Sequence, residues 1–265
     1  MTIESYYTLK NYPKNEEQRI KKLRIPPNWA DIKITKNNTD KIQVVGTDSK
    51  NRQQYIYHPL WVLFTNDSKY LKIDSLNFNK FIQIINQKSK EEILSKDYII
   101  ANMFIIMKDL NIRVGNEIYL KQNNSIGLCT MQKNNFKNNQ FIFKGKRGIL
   151  HEKTLNKFHL NFINQLINLP GKTLFKYLNK NGKYSNINSN DLNAFLKIYV
   201  DENMTSKDVR TYCANNIFKK KYQELLKKED PKAKINAIKY TANELGNTPK
   251  VCRDAYINPN LYLQT

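Results

Sequence analysis

The chain has 265 residues, and its 44 Lys and Arg residues outnumber its 23 Asp and Glu residues, which gives a formal net charge of +21. This length can bury a sizeable core and is typical of two domains. The charge predicts a polyanionic partner. Nucleic acid is favoured over a membrane, because the longest apolar stretch, residues 98–107, is far shorter than the roughly 20 residues that span a bilayer.

The first part of the chain has the patterns of β-structure. Residues 31–34 and 42–45 place apolar side chains at alternate positions, as a strand with one buried face requires. Residues 46–52 are rich in turn formers and separate the second run from residues 54–57, which predicts a β-hairpin.

A change of pattern marks a domain boundary. The chain turns polar across residues 66–75, and helical spacing follows in Phe81, Ile82 and Ile85. We therefore predict a small β-rich N-terminal domain over residues 1–75.

The remainder, residues 76–265, has the pattern of a mainly helical domain with a small antiparallel sheet. Residues 98–107 suit a buried core helix, and residues 140–153 predict a second hairpin. Two glycines in the turn of that hairpin allow it to be tight and to project Lys146 outward. The fold class predicted for the whole chain is α+β.

Helix-capping signals place two further segments. Thr205 followed three residues later by Asp208 resembles a capping box, so Arg210 is expected on the first turns of a helix. Another helix is expected to stop at Gly246, after which Thr248 and Pro249 open a short helix that ends near Tyr256.

Metal and nucleotide cofactors are not expected. The three cysteines include no CxxC pair, their odd number favours reduced thiols, and the three histidines do not form a ligand set. Residues 171–173 resemble the end of a phosphate loop, but Leu166 stands where the first glycine of that motif is needed.

Five segments, in order along nearly the whole chain, resemble the poxvirus-type type IB DNA topoisomerases. They are residues 24–29 (RIPPNW), 46–57 (GTDSKNRQQYIY), 113–119 (RVGNEIY), 207–212 (KDVRTY) and 246–249 (GNTP) with Tyr256. The resemblance implies an enzyme that nicks one DNA strand through a 3′-phosphotyrosine, lets supercoils relax and reseals the strand without ATP or a metal.

The resemblance also assigns roles to individual residues. It implies catalytic roles for Arg113, Lys146, Arg210 and Tyr256, and for Asn247 where many relatives have His. Two guanidinium groups suit the non-bridging oxygens of a crowded phosphorus centre, and Lys146 suits a positioned acid for the 5′-oxygen. The resemblance implies DNA contacts at a further set of residues, namely Gln54, Tyr55, Tyr57, Tyr119, Lys207 and Asn215. It also implies that the N-terminal domain binds DNA and that residues 76–265 form the catalytic domain.

Alternative interpretations remain for the residues and for the protein. Tyr55 and Tyr57 share one strand face and could be ordinary packing residues, and Asn247 could be a polar helix-end residue. A tyrosine recombinase uses the same chemistry, but His-x-x-Arg is replaced here by Lys207-Asp208-Val209-Arg210. A non-catalytic DNA-binding protein would account for the charge alone.

We expect a monomer on double-stranded DNA, located in a virion or host cytoplasm if viral and otherwise in the cytoplasm or nucleoid.

Overall fold

The computed structural model describes residues 6–263, in which a strand-rich segment precedes a mainly helical one, so the predicted α+β class is confirmed. The chain divides into two units, Met1–Asp74 and Ser75–Thr265. The expected boundary after residue 75 lies one residue from this division. The DNA-binding and catalytic roles assigned to the two domains stay predictions.

The first unit is built on an antiparallel sheet with the strand order β1-β2-β3-β4. Ile34 and Val44 are paired on adjacent strands and pack with Ile20 in a small core. Val45 pairs with Tyr55, so the predicted strands and their hairpin are confirmed. The elements are β1 (Tyr6–Tyr7), α1 (Glu17–Lys22), β2 (Ala30–Thr35), β3 (Ile42–Thr47) and β4 (Gln53–Tyr57).

The polar stretch at the boundary is helical, which the sequence pattern did not indicate. Helix α2 (Pro59–Ser75) begins directly after β4 and runs through the whole of residues 66–75. Helical structure therefore begins well before residue 76. Several of its apolar side chains are exposed, including Leu60, Phe64 and Leu71.

The second unit packs around α4 (Lys96–Leu110). All ten side chains of residues 98–107 are buried, which confirms the predicted core helix. Phe104 meets Phe81 edge to face at 5.5 Å between ring centroids. No helix within residues 6–263 is long and apolar enough to cross a membrane. The other helices are α3 (Phe78–Lys88), α5 (Glu117–Asn123), α6 (Lys157–Leu166), α7 (Ser189–Tyr199), α8 (Ser206–Lys227), α9 (Ala233–Leu245), α10 (Pro249–Ala255) and α11 (Asn260–Leu263).

Short antiparallel sheets complete the second unit. The predicted second hairpin is confirmed, because β6 pairs with β7 on either side of a tight turn. Arg147 and Gly148 take positive φ values in that turn, whereas Gly145 does not. The strands are β5 (Phe136–Lys137), β6 (Gln140–Lys144) and β7 (Leu150–Thr154) in one sheet, and β8 (Lys176–Leu178) with β9 (Tyr184–Asn186) in another.

Candidate active site

Arg210 is fixed by the start of α8. Thr205 caps this helix, and the Asp208 carboxylate accepts a 2.9 Å hydrogen bond from the Thr205 backbone N–H, which confirms the predicted capping box. The Arg210 side chain is only 5% exposed. It donates to the Asn111 carbonyl beyond α4 and, at 2.6 Å, to the Leu245 carbonyl at the end of α9. The partial negative charge at helix C-termini stabilises a guanidinium held there.

The charge of Arg210 survives this burial. Burial and the neighbouring charge of Arg113 lower the pKa of Arg210 to about 10, while Tyr256 opposes that change. Arg210 is therefore still a cation at neutral pH. A charge held in a buried, hydrogen-bonded position needs little reorganisation when an anion arrives.

Tyr256 is placed by two helices in succession. Helix α9 ends at Gly246, whose φ of 60° is in the left-handed region, and α10 begins after Thr248 with Pro249 in its first turn, as the sequence predicted. Tyr256 caps the C-terminus of α10 and packs against the core shared by α8 and α9. Its ring centroid lies 5.6 Å from the guanidinium carbon of Arg210.

The hydroxyl of Tyr256 has an altered acidity. Burial by itself raises its pKa, but the nearby positive charge of Arg210 lowers the pKa, and the charges of Arg113 and Lys146 add to this effect. The net result is a pKa below the ordinary value. A lowered pKa makes the phenolate, which is the stronger nucleophile, easier to form.

Arg113 and Asn247 are joined although 134 positions separate them in the sequence. The backbone of Arg113 is anchored by a 2.8 Å hydrogen bond from Leu128, and that of Asn247 by a 2.8 Å bond to Ala242. The Asn247 amide oxygen accepts a hydrogen bond from Arg113. The Asn247 amide nitrogen is buried and has no partner in the described part of the chain.

Lys146 lies at the tip of the β6–β7 hairpin and is exposed. The turn is closed by a 2.8 Å hydrogen bond from Gly145 to the Ile149 carbonyl. The long side chain therefore extends from a hydrogen-bonded turn, and its charge contributes, after those of Arg210 and Arg113, to the lowered pKa of Tyr256. This exposure agrees with the outward projection expected from the sequence.

The other sequence-predicted residues differ in their surroundings. Tyr119 on α5 is 60% exposed, and Lys207 on the first turn of α8 is also exposed. Asn215 is instead engaged within the protein: its amide nitrogen donates to the Tyr256 carbonyl at 2.9 Å, and its oxygen accepts from the Asn258 backbone at 2.8 Å. DNA contact by these three residues stays a prediction.

The N-terminal candidates lie on β4. Tyr55 and Tyr57 are 41% and 39% exposed, and their ring centroids are 6.1 Å apart on one face. Gln54 lies on the opposite face of the strand, and its amide nitrogen donates to Asp48 at 3.0 Å. Both tyrosines are therefore partly open to solvent, and DNA contact by these residues stays a prediction.

Comparison with known proteins identifies the family. A family model for the catalytic core of eukaryotic DNA topoisomerase I matches residues 63–251, and one for the N-terminal domain of bacterial DNA topoisomerase IB matches residues 10–48. The chain belongs to the type IB DNA topoisomerases. The matches do not favour a recombinase or a non-catalytic DNA-binding protein. The first match includes Arg113, Lys146, Arg210 and Asn247 and ends before Tyr256.

Viral type IB topoisomerases are among the similar proteins. DNA topoisomerase 1B of Acanthamoeba polyphaga mimivirus is 31% identical over 95% of this chain and 81% of its own length. DNA topoisomerase 1 of Rabbit fibroma virus (strain Kasza) is 28% identical over 90% and 78%. DNA topoisomerase 1B of Vaccinia virus (strain Copenhagen) is 26% identical over 89% and 77%.

Sequence reasoning missed two features of this type IB topoisomerase site. His151 was considered only as a metal ligand, yet it is a buried residue whose pKa is lowered first by burial and then by the charges of Lys153, Arg113 and Arg210. The internal contacts of Asn215 were also not foreseen. Both depend on partners distant in sequence, so no local pattern could have indicated them.

Proposed function

We propose that this type IB topoisomerase relaxes duplex DNA by nicking one strand through a 3′-phosphotyrosine at Tyr256 and then resealing it. One observation carries the assignment of residues. The guanidinium of Arg210 lies beside the Tyr256 ring, and its Nε–H is buried without a partner in the described part of the chain. The same is true of the amide nitrogen of Asn247, whose oxygen accepts a hydrogen bond from Arg113. Buried donors are nearly always satisfied in proteins, so two unsatisfied donors beside a cation indicate an anion site.

A phosphodiester suits this anion site. Its non-bridging oxygens gain negative charge as the nucleophile approaches, and Arg113, Arg210 and Asn247 supply donors for that charge. The remaining Arg210 hydrogen bonds, to Asn111 and Leu245, fix the guanidinium before DNA arrives. The protein therefore stabilises the transition state with groups that are already oriented.

The covalent step exchanges one ester for another. The Tyr256 hydroxyl gives its proton to solvent and forms an O–P bond, the bond from phosphorus to the 5′-oxygen breaks, and Lys146 donates a proton to that oxygen. Resealing is the reverse: the 5′-hydroxyl attacks phosphorus and Tyr256 leaves. Because the phosphotyrosine conserves the energy of the broken bond, the cycle consumes no ATP.

The N-terminal unit is proposed to read DNA. The exposed edges of Tyr55 and Tyr57 and the amide of Gln54 offer apolar and hydrogen-bonding contacts of the kind used in the major groove. Double-stranded DNA is the proposed partner and a monomer the proposed acting form. The viral relatives support a virion or host cytoplasm as the proposed location.

Two assays test this function together. Supercoiled plasmid should be relaxed in EDTA without ATP, and Tyr256→Phe should bind DNA but form no covalent adduct. The control is Tyr240→Phe, an exposed tyrosine on α9 that should keep full activity. A strict magnesium requirement, or an adduct that persists in Tyr256→Phe, would show the proposal to be wrong.

A further inference from the structure

His151 on β7 is a buried histidine that the proposed chemistry does not use. It is 8% exposed, and its ring stacks on Phe143 of the neighbouring strand at 4.9 Å between centroids and 12° between planes. The stack fixes the imidazole as a flat plate at the base of the hairpin that carries Lys146.

Two glycines make room for this plate. A methyl group on Gly145 would lie 2.6 Å from the His151 Nε2 atom, and one on Gly246 would overlap the His151 Cε1 atom. Gly145 directly precedes Lys146, and Gly246 directly precedes Asn247. The imidazole therefore touches the hairpin turn on one side and the end of α9 on the other.

The ring is uncharged at neutral pH. Burial, followed by the charges of Lys153, Arg113 and Arg210, lowers the pKa of His151 to about 4. Lys153 itself donates to the Glu244 carbonyl at 3.0 Å, so a cation already occupies the end of α9. A neutral ring fills the gap without adding to the positive charge.

We propose that His151 is a positioning residue for Lys146, a flat spacer between Gly145 and Gly246 that sets where the hairpin turn, and hence the Lys146 ammonium, meets the 5′-oxygen. This inference rests on the proposed function, in which Lys146 donates a proton to that oxygen. A misplaced acid loses its effect because proton transfer requires hydrogen-bond reach.

A substrate with sulfur in place of the bridging 5′-oxygen isolates this role. In that substrate Tyr256 forms the same O–P bond, but the P–S bond breaks and releases a thiolate, which leaves without a proton because thiols are far more acidic than alcohols. On the ordinary oxygen substrate, His151→Ala should slow single-turnover cleavage about 10- to 100-fold with unchanged DNA affinity. On the sulfur substrate its rate should return to within a few-fold of the parent.

Matched variants separate positioning from loss of stability. His159→Ala removes a histidine that is 1% exposed on α6 and should leave both rates at the parental value. Gly145→Ala disturbs the same contact from the side of the turn and keeps the imidazole. It should likewise slow cleavage of the oxygen substrate and leave cleavage of the sulfur substrate near the parental rate. It serves as the test if His151→Ala does not fold.

The outcomes distinguish the inference from the proposed function. The positioning role is wrong if the sulfur substrate restores the cleavage rate of Lys146→Ala but His151→Ala and Gly145→Ala are slow on both substrates. Lys146 then stays the acid. Parental rates for both variants on the oxygen substrate also overturn it. If Lys146→Ala itself is not recovered by sulfur, the acid assignment fails, and the inference fails with it.

Discussion

At the scale of single residues, the amide of Asn247 has two separate tasks. Its oxygen accepts a hydrogen bond from Arg113, and its nitrogen, which has no partner in the described part of the chain, is proposed to donate to a phosphate oxygen. Removing a donor to a charged oxygen costs roughly 1.5–3 kcal/mol, so Asn247→Ala should slow cleavage about 10- to 150-fold with little loss of DNA binding. Single-turnover cleavage rates measure this effect, and an Ala variant as fast as the parent would leave Asn247 as a helix-end residue.

Asn247→His is the informative partner of that variant. A histidine can donate to the same phosphate oxygen and should stay active. Because imidazole titrates near an ordinary pKa of about 6.5 and an amide does not, the variant should acquire a pH dependence there that the parent lacks at this position. Cleavage rates measured across pH would detect it.

Asn215 offers a second prediction at this scale. Its hydrogen bonds to the backbone of Tyr256 and Asn258 hold the segment that carries the proposed nucleophile. Asn215→Ala should slow cleavage by about 30-fold, because a net hydrogen bond contributes about 1 kcal/mol and two are lost. The exposed neighbour Asn216 provides the control, Asn216→Ala. A loss of DNA affinity with an unchanged cleavage rate would instead support the DNA contact expected from the sequence.

The sequence predicted some residues of the site better than others. Arg113, Arg210 and Tyr256 stand in recognisable segments, and in the structure the charges of both arginines act on Tyr256. The contacts of Asn215 and those of His151, by contrast, are made with residues that are far apart in the chain. Such contacts arise only when separate elements pack, so no spacing rule contains them.

At the scale of elements, the predictable features were those with local causes. Thr205 with Asp208, and Gly246 with the following Thr248, satisfy backbone groups at helix ends and could be recognised within a few residues. Helix α2 could not, because its exposed apolar side chains form no single buried face from which helical spacing can be recognised.

The packing of the hairpin against α9 gives a pH prediction. In the unfolded chain His151 takes up a proton near pH 6.5. In the folded chain it does so only near pH 4, because its pKa is lowered to about 4. The unfolded state then binds more protons in this window, so the free energy of unfolding falls as pH decreases from about 6.5 towards 4. The contribution of His151 is roughly 2 kcal/mol between pH 7 and pH 5.

Urea denaturation at pH 7 and pH 5 measures this contribution. The loss of stability on acidification should be smaller in His151→Gln than in the parent, because glutamine does not titrate. Comparing the two proteins removes the effect of carboxylates, which both contain. An equal loss in parent and variant would show that His151 is not held neutral in the folded protein.

At the scale of the whole molecule, charge predicted the partner and pattern predicted the fold class, by different physics. A net charge of +21 concerns long-range attraction and contains no information about topology. The α+β class followed instead from spacing of apolar side chains in each half of the chain. Neither could predict the small β8–β9 pair, whose strands have only three residues each.

The last prediction concerns this overall charge. Lys and Arg side chains that neutralise phosphates release counterions, so the logarithm of affinity should fall linearly with the logarithm of salt concentration, with a slope of about −0.9 per phosphate contact. With six to ten such contacts, the affinity for DNA would fall by roughly 10³- to 10⁵-fold between 50 and 200 mM salt. Binding should be measured with Tyr256→Phe, so that covalent adducts do not trap the DNA. Adding Lys207→Ala, which removes an exposed cation on the first turn of α8, should make the slope shallower by about one. An affinity that does not change with salt would mean that the basic surface does not contact the phosphate backbone, and an unchanged slope in the Lys207 variant would place that residue outside the DNA contact.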